Sequence, residues 1–375
     1  MIWDAMSDTL PHPTANREVV ERRRVWPHSP ARRRMFVAMS LDPDRASSLR
    51  LRVIDLAEAG AHIDADVSSG PVVAVGSAAD IAAAQAEPLL SRASFTLSED
   101  AVHDRRVVTV SSVAGEIAEL TQRIDRWPQA ASMCDDVLRS VDPAAPTRSG
   151  LVTESLAYST LQSGREFREW LARRGPASAP TTPDPVLAER QGDSLSIWLN
   201  RPARHNAFST DMRQALLDGL AVAIHDTSIR QVVLGGIGPS FCSGGDLDEF
   251  GSFDDPATAH FARTRFSPAR ALDELSARLG EHLQARVHGQ VLGSGLEMAA
   301  FCGRVQADPE STIGLPELAL GLIPGAGGAV SVTRRIGRWR TAYLVLSGRT
   351  VTAAIALGWG LVDAVAESHA PVRPQ

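Results

Sequence analysis

The sequence predicts an α/β protein in two halves, a mostly helical N-terminal half and a C-terminal half of alternating strands and helices. Three observations predict it. A proline-rich break, Arg173-Arg174-Gly175-Pro176-Ala177-Ser178-Ala179-Pro180-Thr181-Thr182-Pro183-Asp184-Pro185, divides the 375 residues roughly in two. Beyond it, short β-branched runs alternate with helical stripes, the pattern of strands joined by right-handed crossovers. Glycine-rich turns then recur beside two glutamates, Glu297 and Glu317, twenty residues apart.

Taken in order, residues 1–38 carry Arg22-Arg23-Arg24 and Arg32-Arg33-Arg34 with no apolar stretch between. That excludes a secretory signal, and the acids Asp4, Asp8, Glu18 and Glu21 argue against a transit peptide. The segment is expected to be a disordered arm, or to lie upstream of a start at Met35 or Met39. Residues 39–174 read as a mostly helical domain of unknown fold. Leu49, Val53, Leu56 and Ala57 recur at helical spacing, and Val72–Val75 and Val107–Val110 are strand candidates. Helices are expected over 113–126, 129–139 and 151–172, the last placing Leu151, Ser155, Tyr158, Leu161 and Phe167 partly on one face. His62 and His103 stand alone and read as structural or solvated. Residues 175–185, with four prolines among small polar residues, form a linker.

Residues 186–375 form the second domain. Ser194–Leu199 alternates at period two, Ser209 is a good helix cap, and Met212, Leu216, Leu220 and Ile224 make a helical stripe behind it. Gln231–Leu234 reads as a buried strand, with further strand–helix units near 285–287 and 304–307.

Composition narrows the function. A hydrophobic content of 44% with 22% charged residues is ordinary for a soluble globular protein. A net charge of −6 argues against nucleic acid as a partner. All 38 basic residues are arginine, so no lysine nucleophile or Schiff base is possible. Cys134, Cys242 and Cys302 fit neither a disulfide framework nor a zinc site, which points to a reducing cytoplasm and no bound metal. No run of about 18 apolar residues occurs, so no membrane partner is expected.

The chemistry lies in the last third. Glu297 closes His288-Gly289-Gln290-Val291-Leu292-Gly293-Ser294-Gly295-Leu296-Glu297. Glu317 lies in Gly314-Leu315-Pro316-Glu317, ahead of Ile323-Pro324-Gly325-Ala326-Gly327-Gly328. Upstream stands Ser240-Phe241-Cys242-Ser243-Gly244-Gly245-Asp246-Leu247. Two glycine turns that can expose backbone N–H groups, with two carboxylates beside them, are the parts needed to stabilise an enolate and move protons around it.

Together with Arg201-Pro202-Ala203-Arg204-His205-Asn206-Ala207, these motifs resemble the crotonase (enoyl-CoA hydratase/isomerase) superfamily from about Pro185 to Ser368. The resemblance implies a ββα spiral that binds an acyl-CoA thioester, with no cofactor beyond the coenzyme A of the substrate. It implies an oxyanion hole from the backbone N–H groups of Gly245 and Ser294. Glu297 and Glu317 match the pair that holds a water and moves its protons, which favours hydration over isomerisation. Ser243, Asp246 and Leu247 match positions near coenzyme A, mostly through backbone, and Arg201 and Arg204 are candidates for its phosphates. His205, His260 and His288 have no family role and read as structural. A homo-oligomer, trimer or hexamer, is implied as well.

The sequence departs from the family pattern at its end. The resemblance implies a helical segment of about sixty residues that caps the acyl pocket after Val365; it is expected to be missing here, so the N-terminal half is expected to supply the cover, in cis or from a neighbouring subunit. The layout also resembles the cofactor-free dioxygenase acting on dihydroxyphenylacetyl-CoA, which has a bulkier residue at the Gly245 position and lacks the glutamate pair. That chemistry, a thioester hydrolase or decarboxylase, and a catalytically weak partner subunit are the alternatives.

Overall fold

The structure, a computed structural model, describes residues 49–58, 70–252 and 255–366. All of them belong to one compact unit, Arg45–Gln375; the preceding unit, Met1–Asp44, lies outside the described residues. So do the expected arm, the start candidates Met35 and Met39, and His62.

The first half begins with β1 (Arg52–Asp55), β2 (Val72–Val75), α1 (Ala78–Ala82), α2 (Glu87–Arg92), β3 (Phe95–Ser98) and β4 (Val107–Thr109). α3 (Val113–Arg126), α4 (Pro128–Ser140), α5 (Thr147–Gln162) and α6 (Arg165–Arg174) follow. Helices dominate, as expected, but they accompany a parallel sheet of order β1-β2-β3-β4. The helix expected around Leu49–Ala57 is instead strand β1. Ile54 and Leu56 are buried and Val53 is exposed, so the true period is two. Alternation also splits the sheet between two cores. Val73 and Val108 join the main cluster, while Val72, Ala74 and Val107 join a smaller one under α1 and α2.

The single helix expected over 151–172 is broken at Ser163-Gly164 into α5 and α6. Its proposed face is nonetheless buried as a whole: Leu151, Ser155, Tyr158, Leu161 and Phe167. Residues 175–185 carry no helix or strand.

The second half runs β5 (Val186–Gln191), β6 (Ser194–Leu199), α7 (Thr210–His225), β7 (Gln231–Gly236), α8 (Pro256–Arg265), α9 (Pro268–Leu279), β8 (Leu283–Val287) and β9 (Gln290–Leu292). It continues through α10 (Ser294–Ala299), β10 (Arg304–Ala307), β11 (Thr312–Gly314), α11 (Gly328–Ser347, kinked at Gly337), β12 (Val351–Thr352), α12 (Ala353–Trp359) and β13 (Ala364–Val365). The larger sheet has the order β13-β10-β8-β7-β6-β5, parallel except for the β5–β6 hairpin. A smaller one, β12-β11-β9, carries the loops around Gly293 and Glu317. The sequence reading holds locally: Leu195, Ile197 and Leu199 are buried in alternation, and Ser209 Oγ accepts from the Met212 N–H at 3.2 Å to start α7.

The two halves share one apolar cluster. α11 packs against α3, α4, α5 and β3, so Leu120, Ile124, Val137 and Leu138 bury the same surface as Val330, Ile336 and Leu344. Polar braces cross the same seam. Glu116 on α3 accepts from the Tyr343 hydroxyl (3.1 Å) and Arg349 Nε (2.9 Å), and Arg123 Nε donates to the Leu346 carbonyl (3.2 Å). The cover for the second half thus comes from within the same chain.

Candidate active site

A cavity of about 360 Å³ opens between α5, α7, α8 and α10, within the range of small-ligand sites. Its wall contains Gly245, Ser294, Glu297 and Glu317, so the structure brings the two turns and both carboxylates together. They converge because β9 hydrogen-bonds to the 242–244 turn. Cys242 N–H donates to the Gln290 carbonyl (3.0 Å) and Leu292 N–H to the Cys242 carbonyl (3.0 Å). Gly295 must be glycine for this contact, since a Cβ there would lie 2.6 Å from the Cys242 carbonyl oxygen. Among the described residues, neither the Gly245 N–H nor the Ser294 N–H has a hydrogen-bond acceptor.

The carboxyl groups differ in their surroundings. Glu297 on α10 is 1% exposed, and its Oε2 accepts from the Ala326 and Gly328 N–H groups, both at 2.7 Å. Burial pushes its pKa up to about 7, while those N–H donors pull the other way by stabilising the anion. Glu317 opens a short 3₁₀ turn (Glu317–Leu320) and is 9% exposed. Its Oε2 has no hydrogen-bond partner among the described residues. Burial first, then the nearby Glu297 charge, push this carboxyl well above the usual range.

Gly293 sits between the parts. It has φ +49°, and a Cβ there would lie 2.5 Å from Glu317 Oε1. Gly293→Ala is therefore expected to displace the Glu317 carboxyl and lower turnover by about 10- to 100-fold, with steady-state kinetics as the check.

Ser243, Asp246 and Leu247 all line the cavity. The Asp246 carboxylate is committed elsewhere, paired with Arg201 (2.9 Å) and Arg204 (2.8 Å). Arg201 corrects the sequence reading. Its guanidinium is 1% exposed and also donates to the Ala207 carbonyl (2.5 Å) and Thr182 Oγ1 (3.1 Å), so it braces the 201–207 loop and leaves no face for a phosphate. Arg204 is about one-third exposed and pairs with Asp248 (2.6 Å) as well as Asp246.

The three histidines have structural partners outside the cavity lining. His205 Nδ1 meets Ser240 Oγ (2.9 Å), His260 Nδ1 meets Ser155 Oγ (3.0 Å), and His288 Nε2 donates to the Gly238 carbonyl (2.8 Å).

Sequence reasoning expected the first half to cover the pocket but did not name the side chains that do so. Tyr158 and Gln162 on α5 line the cavity beside Arg263 of α8, whose guanidinium lies 4.4 Å from the Tyr158 ring centroid and donates to Gln162 Oε1 (2.9 Å). A signal existed. Glu154, Tyr158 and Gln162 recur every four residues, a polar line on an otherwise apolar face.

The fold and the order of the motif turns are those of the crotonase superfamily, and the comparisons agree. Residues 189–372 match the enoyl-CoA hydratase/isomerase family model. The 2,3-dehydroadipyl-CoA hydratase of Escherichia coli K12 is 37% identical over 183 residues, 48% of this chain and 68% of that one. The mevalonyl-coenzyme A hydratase of Beauveria bassiana is 33% identical over 188 residues, 49% of this chain and 67% of that one. A solved enoyl-CoA hydratase from Thermoplasma volcanium shares 33% identity, with a TM-score of 0.44 over 50% of this chain and 74% of that one. The chain belongs to the enoyl-CoA hydratase/isomerase family. No helix among the described residues is long and apolar enough to cross a membrane.

Proposed function

We propose that the chain adds water across the 2,3-double bond of an enoyl-CoA thioester. One observation carries this reading: Glu297 and Glu317 line a single cavity, and their surroundings hold a proton on Glu317 more firmly than on Glu297. Two N–H donors favour the Glu297 anion, while burial without a partner keeps a proton on Glu317. A base and an acid at one site near neutral pH are what hydration needs.

In this reading Glu297 takes a proton from water as the water oxygen bonds to C3. The π electrons of the double bond move toward the thioester carbonyl and form an enolate. Its oxygen accepts from the free N–H groups of Gly245 and Ser294, at about 3 kcal/mol per donor. Glu317 then gives its proton to C2, and a proton passed from Glu297 to Glu317 resets the pair. The net change is one water added, giving a 3-hydroxyacyl-CoA.

The test is a panel of 2-enoyl-CoA thioesters followed by the ultraviolet band of the conjugated thioester. Loss of the band with formation of 3-hydroxyacyl-CoA is expected. Persistence of the band across every chain length would sink the reading, and oxygen uptake with an arylacetyl-CoA would point to oxygenase chemistry instead. The pH dependence is also set. kcat/KM is expected to fall as pH drops through about 7, where Glu297 gains a proton, and to fall again at higher pH as Glu317 loses its own. A profile flat on the acid side contradicts the assignment of Glu297 as the base.

A further inference from the structure

The 325–329 turn is held by two carboxylates that come from opposite halves of the chain. Glu297 accepts from the N–H groups of Ala326 and Gly328. Glu154, on α5 and 1% exposed, accepts from those of Gly327 (Oε1, 2.7 Å) and Ala329 (Oε2, 2.7 Å). Four successive N–H groups therefore alternate between the two side chains. The same helix packs Tyr158 onto the turn, where a Cβ on Gly325 would lie 2.5 Å from the ring. Such a turn has little room to move while both carboxylates are in place, because a shift that spoils one pair of bonds spoils the other.

We infer that Glu154 is a positioning residue of the active site, clamping the Ala326–Ala329 turn in the arrangement that aims the Glu297 carboxylate into the cavity. A plain helix cap would satisfy the start of α11 and nothing more. Here the bonds of Glu154 interleave with those of the proposed base, so losing the Glu154 bonds frees the N–H groups on both sides of Gly328, one of which also follows Ala326. The inference rests on the hydration reading for its kinetic arm.

Glu154→Gln in the full chain is the test, because glutamine keeps the shape but offers one acceptor oxygen in place of two. The expected result is a fall in kcat of about 10- to 100-fold with KM within about twofold of wild type. Glu154→Asp, which keeps both oxygens, should recover part of the loss, and it carries the comparison if Glu154→Gln does not fold. A Glu154→Gln enzyme with a lowered melting temperature but an unchanged kcat well below it would overturn the inference and leave Glu154 a brace. If the wild-type chain hydrates no enoyl-CoA, the hydration reading fails separately. Amide hydrogen exchange over residues 325–330 then decides: faster exchange in Glu154→Gln supports the clamp, and unchanged exchange overturns it.

Discussion

Replacing Glu317 by glutamine is expected to reduce hydration by about a thousand-fold, and replacing Glu297 likewise. The geometry gives each a separate reason. An amide at position 317 cannot deliver a proton to carbon, and the unpartnered Oε2 leaves no neighbour to take over that task. An amide at 297 can still accept from Ala326 and Gly328, so the turn should hold while the base is lost. The double replacement should cost little more than either single one, because the two groups act as a unit. Retention of a tenth of the wild-type rate in either single variant would remove these residues from the proton transfers.

Stability should move the opposite way in Glu297→Gln. The folded-state pKa of Glu297 is raised to about 7, so its contribution to stability is full below its unfolded pKa and is lost as pH rises through about 7. Glutamine does not titrate. The variant should therefore lack that decline, which melting curves at about pH 5 and pH 8 can read.

A chain beginning at Pro183 is expected to aggregate and to show no turnover. The second half would then present Val330, Ile336 and Leu344 of α11 without the α3 and α4 side chains that bury them. Contiguous apolar surface of that kind marks an interface or an aggregation site. Tyr158, Gln162 and the two bonds from Glu154 would vanish from the site at the same time. A monodisperse, fully active product on size exclusion would show that the N-terminal half is dispensable.

Much of the second half was legible because its signals are local. Alternation in Ser194–Leu199, the Ser209 cap and the glycine turns each reflect physics within a few residues. The motif order added the long-range step that set Gly245 beside Ser294. The first half was harder. Leu49, Val53 and Leu56 mimic a helix because a four-residue strand is too short for its period to outweigh chance spacing. Phe95–Ser98 is buried throughout, so it has no alternation to read. Arg201 read as a phosphate ligand because sequence does not disclose burial, and Asp246 forty-five positions away claims its charge. The spacing of Glu154, Tyr158 and Gln162 marks a polar line on α5, but it does not reveal the partners of Glu154, which are backbone N–H groups whose sequence identity carries no trace of the bond.

The clamp on the 325–329 turn also bears on the order in which this chain becomes an enzyme. The bond from Gly327 to Glu154 spans 173 positions, and closing so long a segment costs entropy before any contact returns it. Either half can gather its own helices and strands first, but the turn acquires its full set of acceptors only when the halves have docked. On the proposed hydration reading, catalytic competence is then a late event in folding, reached only once the turn that holds Glu297 has both carboxylates in place.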